Sequence, residues 1–461
     1  MSTLGFFAIV LAIYYILPQK SRWGWLLWTS IEFYGSADWK MLALIGASIV
    51  GSYFAGLKIQ QSENEKQKKG WMIGCIILLV AILMFFKYFG FFADAVGKML
   101  GATSSVFKLA MPLGISYYTF KIISYLLDIY KGKIEAEKHF GYYALYVSFF
   151  PQILCGPIER ADHFIPQLKY GCKFEDKMAA EGLERIIIGL FKKLAIADRL
   201  ALYVGTVFEA PTAYPGLASI MAVAFYTVQI YCDFSGYSDM AIGLGRMFGF
   251  EFQENFRYPY LSKSVSEFWN RWHISLGQWF RDYVYFPLGG SRVTKGKLVR
   301  NLFVVWLLTG IWHGAAWRFI LWGVGYGTII TLEKLTGFPK KNKNKTLAVL
   351  YSIFTFLTVV VGWVIFGAPG LKTALYQLGA MVGIGAEGLW DAGAVFTLSE
   401  YLPYFLGAAV FSTPVPKMGM RKLKTTRFGW LVQPLVYLGL LMLSFSFLAI
   451  GSHNPFIYFN F

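Results

Sequence analysis

Long apolar runs separated by short charged stretches set the pattern of this chain. A bilayer core about 30 Å thick is crossed by about 20 apolar residues in a helix. By that measure the sequence predicts spans over residues 4–17, 22–36, 40–57, 71–92, 112–130, 183–205, 217–247, 346–367, 402–416 and 428–450. Two further segments, 142–156 and 301–333, have the form of re-entrant or hairpin elements. No internal repeat and no long soluble stretch interrupts the series. The expected fold class is an all-α polytopic membrane protein, with residues 1–461 forming one multi-pass domain. The first run, Met1–Leu17, lacks a basic leader and a small-residue cleavage site. It is expected to be a span rather than a removed signal peptide.

Composition agrees and removes other classes. Of 461 residues, 56% are hydrophobic and only 15% charged, where a soluble domain carries roughly 25% charged residues. That excludes an ordinary soluble enzyme, a disordered chain and a coiled coil. Cys75, Cys155, Cys172 and Cys232 stand far apart with no C-x-x-C pair, so neither a zinc site nor a disulfide framework is expected.

Charge supplies the orientation. The 43 Lys and Arg exceed the 26 Asp and Glu, a net +17. In a soluble protein this would point to nucleic acid. Here the cations sit between apolar runs, so the expected partner is the lipid bilayer, with no nucleic acid, and the basic loops are cytoplasmic. Three loops carry them. Residues 58–69 hold Lys58, Lys66, Lys68 and Lys69, residues 334–345 hold five lysines, and residues 417–427 hold Lys417, Arg421, Lys422, Lys424 and Arg427. Residues 206–216, with Glu209, and 368–401, with Glu387, Asp391 and Glu400, then fall outside, as do both termini. Arg300 and Lys334 are on one side, yet 33 largely apolar residues separate them. That length suits a hairpin turning near Gly310–Ala316, or two helices meeting deep in the protein. Either arrangement places Thr309–Gly314 at depth.

Few residues offer chemistry. Of five histidines, His313 lies in that deep segment, where an ionisable group is costly and points to function. A structural imidazole bonded to a carbonyl in a broken helix is the alternative. Gly310 and Gly314 flank it and permit close backbone approach or a break. His273 lies in a segment whose Phe268, Trp269, Trp272, Leu276, Trp279 and Phe280 share one helical face, with Glu267, Asn270, Arg271, Arg281 and Asp282 opposite. This predicts an amphipathic helix at the cytoplasmic interface, with His273 at the margin of its two faces. Arg292, Lys295, Lys297 and Arg300 make a basic exit, suited to an acyl carrier's phosphates or to simple positive-inside charge. Asp233 and Asp239 stand in an apolar stretch and need partners if buried, or else mark a polar kink capping a helix at Ser238 or Asp239. Glu159 and Arg160 are expected to pair with other loops. His139 and His163 are placed in polar loops without a special role.

Five runs together resemble the membrane-bound O-acyltransferase superfamily: PLGISYYTF at 112–120, GPIER at 156–160, CDFSGYSDMAIGLGRMFGF at 232–250, FWNRWHISLGQWFRDYVYFPLGGSR at 268–292 and TGIWHGAAW at 309–317. The resemblance covers residues 110–330, the expected catalytic core, and is nearest to the branch that O-acetylates bacterial alginate, peptidoglycan and cellulose. It implies a ring of tilted helices with re-entrant segments around a central funnel. It implies acyl transfer, most simply of acetyl, from a cytoplasmic thioester toward an extracytoplasmic polysaccharide hydroxyl. The donor would be acetyl-CoA, another acyl-CoA or an acyl-carrier protein, with no bound cofactor or metal. The family's invariant histidine corresponds to His313 and its second polar position to His273. A neutral imidazole within reach of a hydroxyl can take its proton during attack, which makes His313 the expected base. His273 would orient the donor or the oxyanion, and Asn270, Arg271, Trp312 and Arg281 would help bind the donor. Because the outer loops are short, the resemblance also implies a separate extracytoplasmic partner, an SGNH-hydrolase-like acyltransferase.

The chain ends in Phe456-x-Tyr458-x-x-Phe461. Such aromatics commonly form an interfacial belt. The spacing also resembles the C-terminal motif of the small membrane peptide that accompanies teichoic-acid D-alanyl transferases, where the tyrosine is implicated as an acyl relay. Tyr458 is therefore an expected acyl acceptor on an outer tail, 451–461. Other readings stay open at this level: D-alanyl transfer to teichoic acid, a transporter or flippase that would not need His313, and a non-enzymatic anchor for a synthase complex.

Overall fold

The computed structural model describes residues 3–99, 111–153, 156–171, 174–386, 388–390 and 392–450. The tail with Tyr458 and His453, together with Cys155, Cys172, Glu387 and Asp391, lies outside the described residues. Among the described residues the regular structure is helical, without strands. Six helices are long and apolar enough to cross a membrane: Trp39–Gln61, Glu65–Ala93, Gly216–Met247, Lys345–Gly367, Ala392–Phe411 and Gly429–Ala449. Apolar side chains are exposed along them, as with Ile77, Leu78, Phe356 and Leu443, which is what lipid-facing helices require. The chain is an all-α polytopic membrane protein.

Several element boundaries differ from expectation. The basic stretch 58–69 is helix at both ends, and only 62–64 separate Trp39–Gln61 from the next helix. The span expected at 402–416 is Ala392–Phe411, so Glu400 lies inside it, and the basic stretch beyond becomes the short helix Val415–Lys424. The span expected at 183–205 is three pieces: Asp176–Leu190, a π-helical turn Phe191–Ala197, and Asp198–Glu209.

The chain forms two compact units. The first comprises Met1–Ile186 and Ala241–Glu254. Its core is aromatic: Phe149 packs against Phe164, Phe248, Phe250 and Phe252. Glu159 is fully buried there and accepts from Gln253 N at 2.6 Å and from His163 Nδ1 at 2.7 Å. Glu159 thus pairs with another loop, at Gln253, as expected, and also with the helix Ala161–Tyr170 through His163. The carboxylate raises the His163 pKa above its ordinary value.

The second unit comprises Ile187–Met240 and Asn255–Phe461. In it the π-helical turn presents two successive lysines to one neighbouring helix. Lys193 Nζ lies 2.6 Å from Asp198 and 2.7 Å from Asp233, and Lys192 Nζ lies 2.5 Å from Asp239. The carboxylates of the CDFSGYSD run are therefore ion-paired, and the helix Gly216–Met247 continues through Ser238 and Asp239 instead of being capped there.

The segment 301–333 is a helical hairpin. Lys295–His313 and Trp317–Thr336 are joined by Gly314–Ala316, within the turn region expected from charge spacing. The two helices meet on glycine. A Cβ on Gly310 would stand 2.5 Å from the Phe319 carbonyl oxygen, and one on Gly323 2.5 Å from that of Trp306. No side chain larger than hydrogen fits either place. Gly325, on the same helix, has nothing within 4 Å. Gly310→Val should cost about 1–3 kcal/mol through overpacking, read as a fall in melting temperature in detergent, whereas Gly325→Ala should leave it unchanged or raise it.

Candidate active site

His313 is the last residue of the hairpin's first helix, and extended Gly314 ends that helix. The imidazole is 5% exposed. Its ring lies 4.7 Å from Trp312, 5.1 Å from Trp322, 5.0 Å from Phe366 and 6.3 Å from Phe319, centroid to centroid. Aromatic walls keep water from such a group, and polar interactions strengthen in a dry site.

His273 is placed differently from expectation. The amphipathic pattern across 268–283 predicts one interfacial helix, but Val265–Arg271 and Ile274–Phe280 are separate, and Trp272–His273 forms the break. His273 has φ 44° and ψ 55°, a left-handed conformation costing about 1–2 kcal/mol for a residue with a Cβ. Phe268, Trp272, Leu276, Trp279 and Phe280 are all buried, so the apolar face packs into protein rather than lipid. Asn255 sustains the break. Its carbonyl accepts from Ile274 N at 3.0 Å, and its Oδ1 accepts from Ser275 N at 3.2 Å and Ser275 Oγ at 2.7 Å. Arg257 N donates to the Arg271 carbonyl beside it. These bonds take up backbone groups that a continuous helix would have used.

The start of Val265–Arg271 is also fixed. Ser264 Oγ accepts from Glu267 N at 3.1 Å, a helix cap legible as S-x-x-E. Glu333, on the hairpin's return helix, accepts from Val265 N and Ser266 N at 2.9 Å each and from Tyr351 Oη at 2.8 Å. Neither Asn255 nor Glu333 is identifiable from the sequence pattern. Glu333 has one faint signal, a single acid in an apolar helix.

The consequence is that His273 and His313 share a neighbour. His273 is 3% exposed, and its ring lies 4.6 Å from Phe234 and 6.2 Å from Trp312, the same Trp312 that stacks edge-on to His313. Trp312 is therefore part of the cluster. The other expected donor-binding residues are met in local ion pairs or at the surface. Arg271 pairs with Glu267 at 2.6 Å, Arg281 with Asp282 at 2.8 Å, and Asn270 is exposed. No group of three His, Cys, Asp or Glu side chains gathers as a metal site among the described residues.

Burial pushes the His273 pKa down from 6.5 to about 3; the residue lies outside the spanning helices. It is thus neutral at physiological pH and can exchange a hydrogen bond without carrying charge.

Two buried imidazoles flanking one indole on a polytopic helical scaffold place the candidate site in an integral-membrane protein. The chain belongs to the membrane-bound O-acyltransferase family, whose model matches residues 64–368, and it is an O-acyltransferase. It is 40% identical to a probable alginate O-acetylase of Azotobacter vinelandii over 84% of this chain and 78% of the relative. It is 37% identical to a probable alginate O-acetylase of Pseudomonas putida over 99% and 98% of the two chains. It is 33% identical to a peptidoglycan O-acetyltransferase of Helicobacter pylori over 95% and 91%.

The sign of the His273 shift sets a pH test. Between pH 6.5 and 3 the unfolded chain binds a proton that the folded chain refuses, so stability falls as pH drops through that window. Asparagine tolerates left-handed backbone. His273→Asn should therefore fold normally at pH 7 and gain roughly 2 kcal/mol on the wild type at pH 5, measured by melting in detergent.

Proposed function

We propose that this O-acyltransferase takes an acetyl group from a cytoplasmic thioester and passes it across the membrane for O-acetylation of an extracytoplasmic polysaccharide. The observation that carries this reading is the dry aromatic cluster joining His313 and His273 through Trp312. Near-full-length similarity to polysaccharide O-acetylases supports acetyl over D-alanyl as the group moved.

In the proposed reaction His313 is the general base. A neutral imidazole removes the proton of the attacking hydroxyl as the thioester carbonyl is struck. His273, also neutral, orients the donor. The three basic stretches face the cytoplasm, so that Arg292, Lys295, Lys297 and Arg300 stand where an acyl carrier's phosphates would arrive and the tail stands outside. Tyr458 is the acyl relay. Its hydroxyl, with an ordinary pKa of about 10, needs the base to become a nucleophile. The resulting ester is handed to an extracytoplasmic SGNH-hydrolase-like partner.

Intact mass measurement of the C-terminal peptide after incubation with acetyl-CoA should show one acetyl adduct. His313→Ala should abolish it, and an adduct that persists removes His313 as the base. Tyr458→Phe should abolish both the adduct and polymer acetylation; full acetylation in that variant removes the relay while leaving the base intact.

A further inference from the structure

Trp322 stands on the return helix of the hairpin and is 2% exposed. Its indole Nε1 makes no hydrogen bond among the described residues. A buried donor without a partner costs about 1–3 kcal/mol, so a chain that keeps one there has a use for it. Two nitrogens of the same cluster share this condition, Trp269 Nε1 and His273 Nε2. Ring geometry ties them together. Trp322 lies 5.1 Å from His313 at 82° and 5.2 Å from Trp269 at 90°, while Trp312 adjoins both imidazoles. The remaining surroundings of Trp322 include Trp306 and Phe366, at 6.1 and 5.5 Å. Indole N–H groups donate and never accept. Placed beside a base in apolar walls, they match an uncharged oxygen that becomes anionic during reaction.

We propose that Trp322 is a catalytic residue whose Nε1–H holds the carbonyl oxygen of the acyl thioester and stabilises the oxyanion. The proposal rests on His313 as the base. As the acceptor hydroxyl oxygen bonds to the carbonyl carbon, its proton passes to His313 and the C=O π pair moves onto the oxygen that Trp322 holds. Collapse restores the C=O bond and breaks the C–S bond. The departing sulfur takes the proton back from His313, giving an ester and a free thiol. Trp322 adjoins His313, whereas Trp269 adjoins Trp322, so Trp322 is the principal donor.

The test uses the full-length chain in lipid nanodiscs with its polymer-modifying partner, reading thiol release from acetyl-CoA. Trp322→Phe removes the donor and some volume. Replacing Trp322 with benzothienylalanine keeps the bicyclic shape and exchanges N–H for sulfur. Loss of one oxyanion donor costs about 10²–10³-fold in kcat in other enzymes. Both variants should lose at least about tenfold in kcat, with KM and the pH profile set by His313 unmoved. Full kcat in the benzothienyl variant, or a raised KM at unchanged kcat, overturns the proposal. His313→Ala separates the two ideas: if it is inactive while the benzothienyl variant is fully active, the base stands and the oxyanion donor does not. If His313→Ala keeps its rate, the base reading fails on its own.

Discussion

The Glu333 carboxylate holds the second unit's site together. Its two oxygens take the first backbone N–H groups of Val265–Arg271 and the Tyr351 hydroxyl. Helix starts leave such donors unsatisfied, and a buried one needs a partner. A charged acceptor from the hairpin's return helix therefore fixes where the short helix begins. That helix ends at Arg271, and the break at Trp272 delivers His273. The position of one imidazole relative to the hairpin that carries the other thus depends on a single buried carboxylate. Asn255 completes the placement from the opposite end, by holding Ile274 and Ser275 after the break.

Much of this was legible in the sequence, for identifiable reasons. Charge spacing between Arg300 and Lys334 suggested a hairpin turning near Gly310–Ala316 or two helices meeting there, and the two helices do join at Gly314–Ala316. His313 stood out because imidazoles are rare in such runs. The break at Trp272–His273 was not legible. The apolar period continues across it, since Phe268, Trp272, Leu276 and Trp279 are buried on both sides, and periodicity cannot register one residue turned left-handed. Arg271 and Arg281, expected to help bind the donor, each pair with an acid close in sequence. Asn255 and Glu333 act through tertiary hydrogen bonds, which leave no local pattern.

Buried charge follows the same logic in both units. Glu159 is compensated by a backbone N–H and an imidazole, and Lys193 by two carboxylates. Breaking such pairs leaves an uncompensated charge, which costs about 3–5 kcal/mol. The π-helical turn has a physical role in this. A regular α-helix sends successive side chains about 100° apart, whereas the widened turn at Phe191–Ala197 lets Lys192 and Lys193 both reach carboxylates on or beside one helix. Function-related π turns are common, but here the visible consequence is charge compensation.

The irregular backbone coincides with the two buried imidazoles. In a membrane, non-helical backbone is tolerated only where protein buries it or a cavity satisfies it. The described site has two such irregularities, the extended turn at Gly314 and the left-handed turn at His273, and Trp312 adjoins the imidazole at each. Helix interiors direct side chains along fixed stripes, so two imidazoles from separate helices would meet only at a crossing point of the right phase. Ending one helix at His313 and breaking another at His273 removes that restriction, since both rings leave their helices at a terminus. The break at His273 costs left-handed backbone and leaves its Nε2 without a hydrogen bond in an aromatic surround. An irregular helix end at each histidine is thus what lets both rings border one indole.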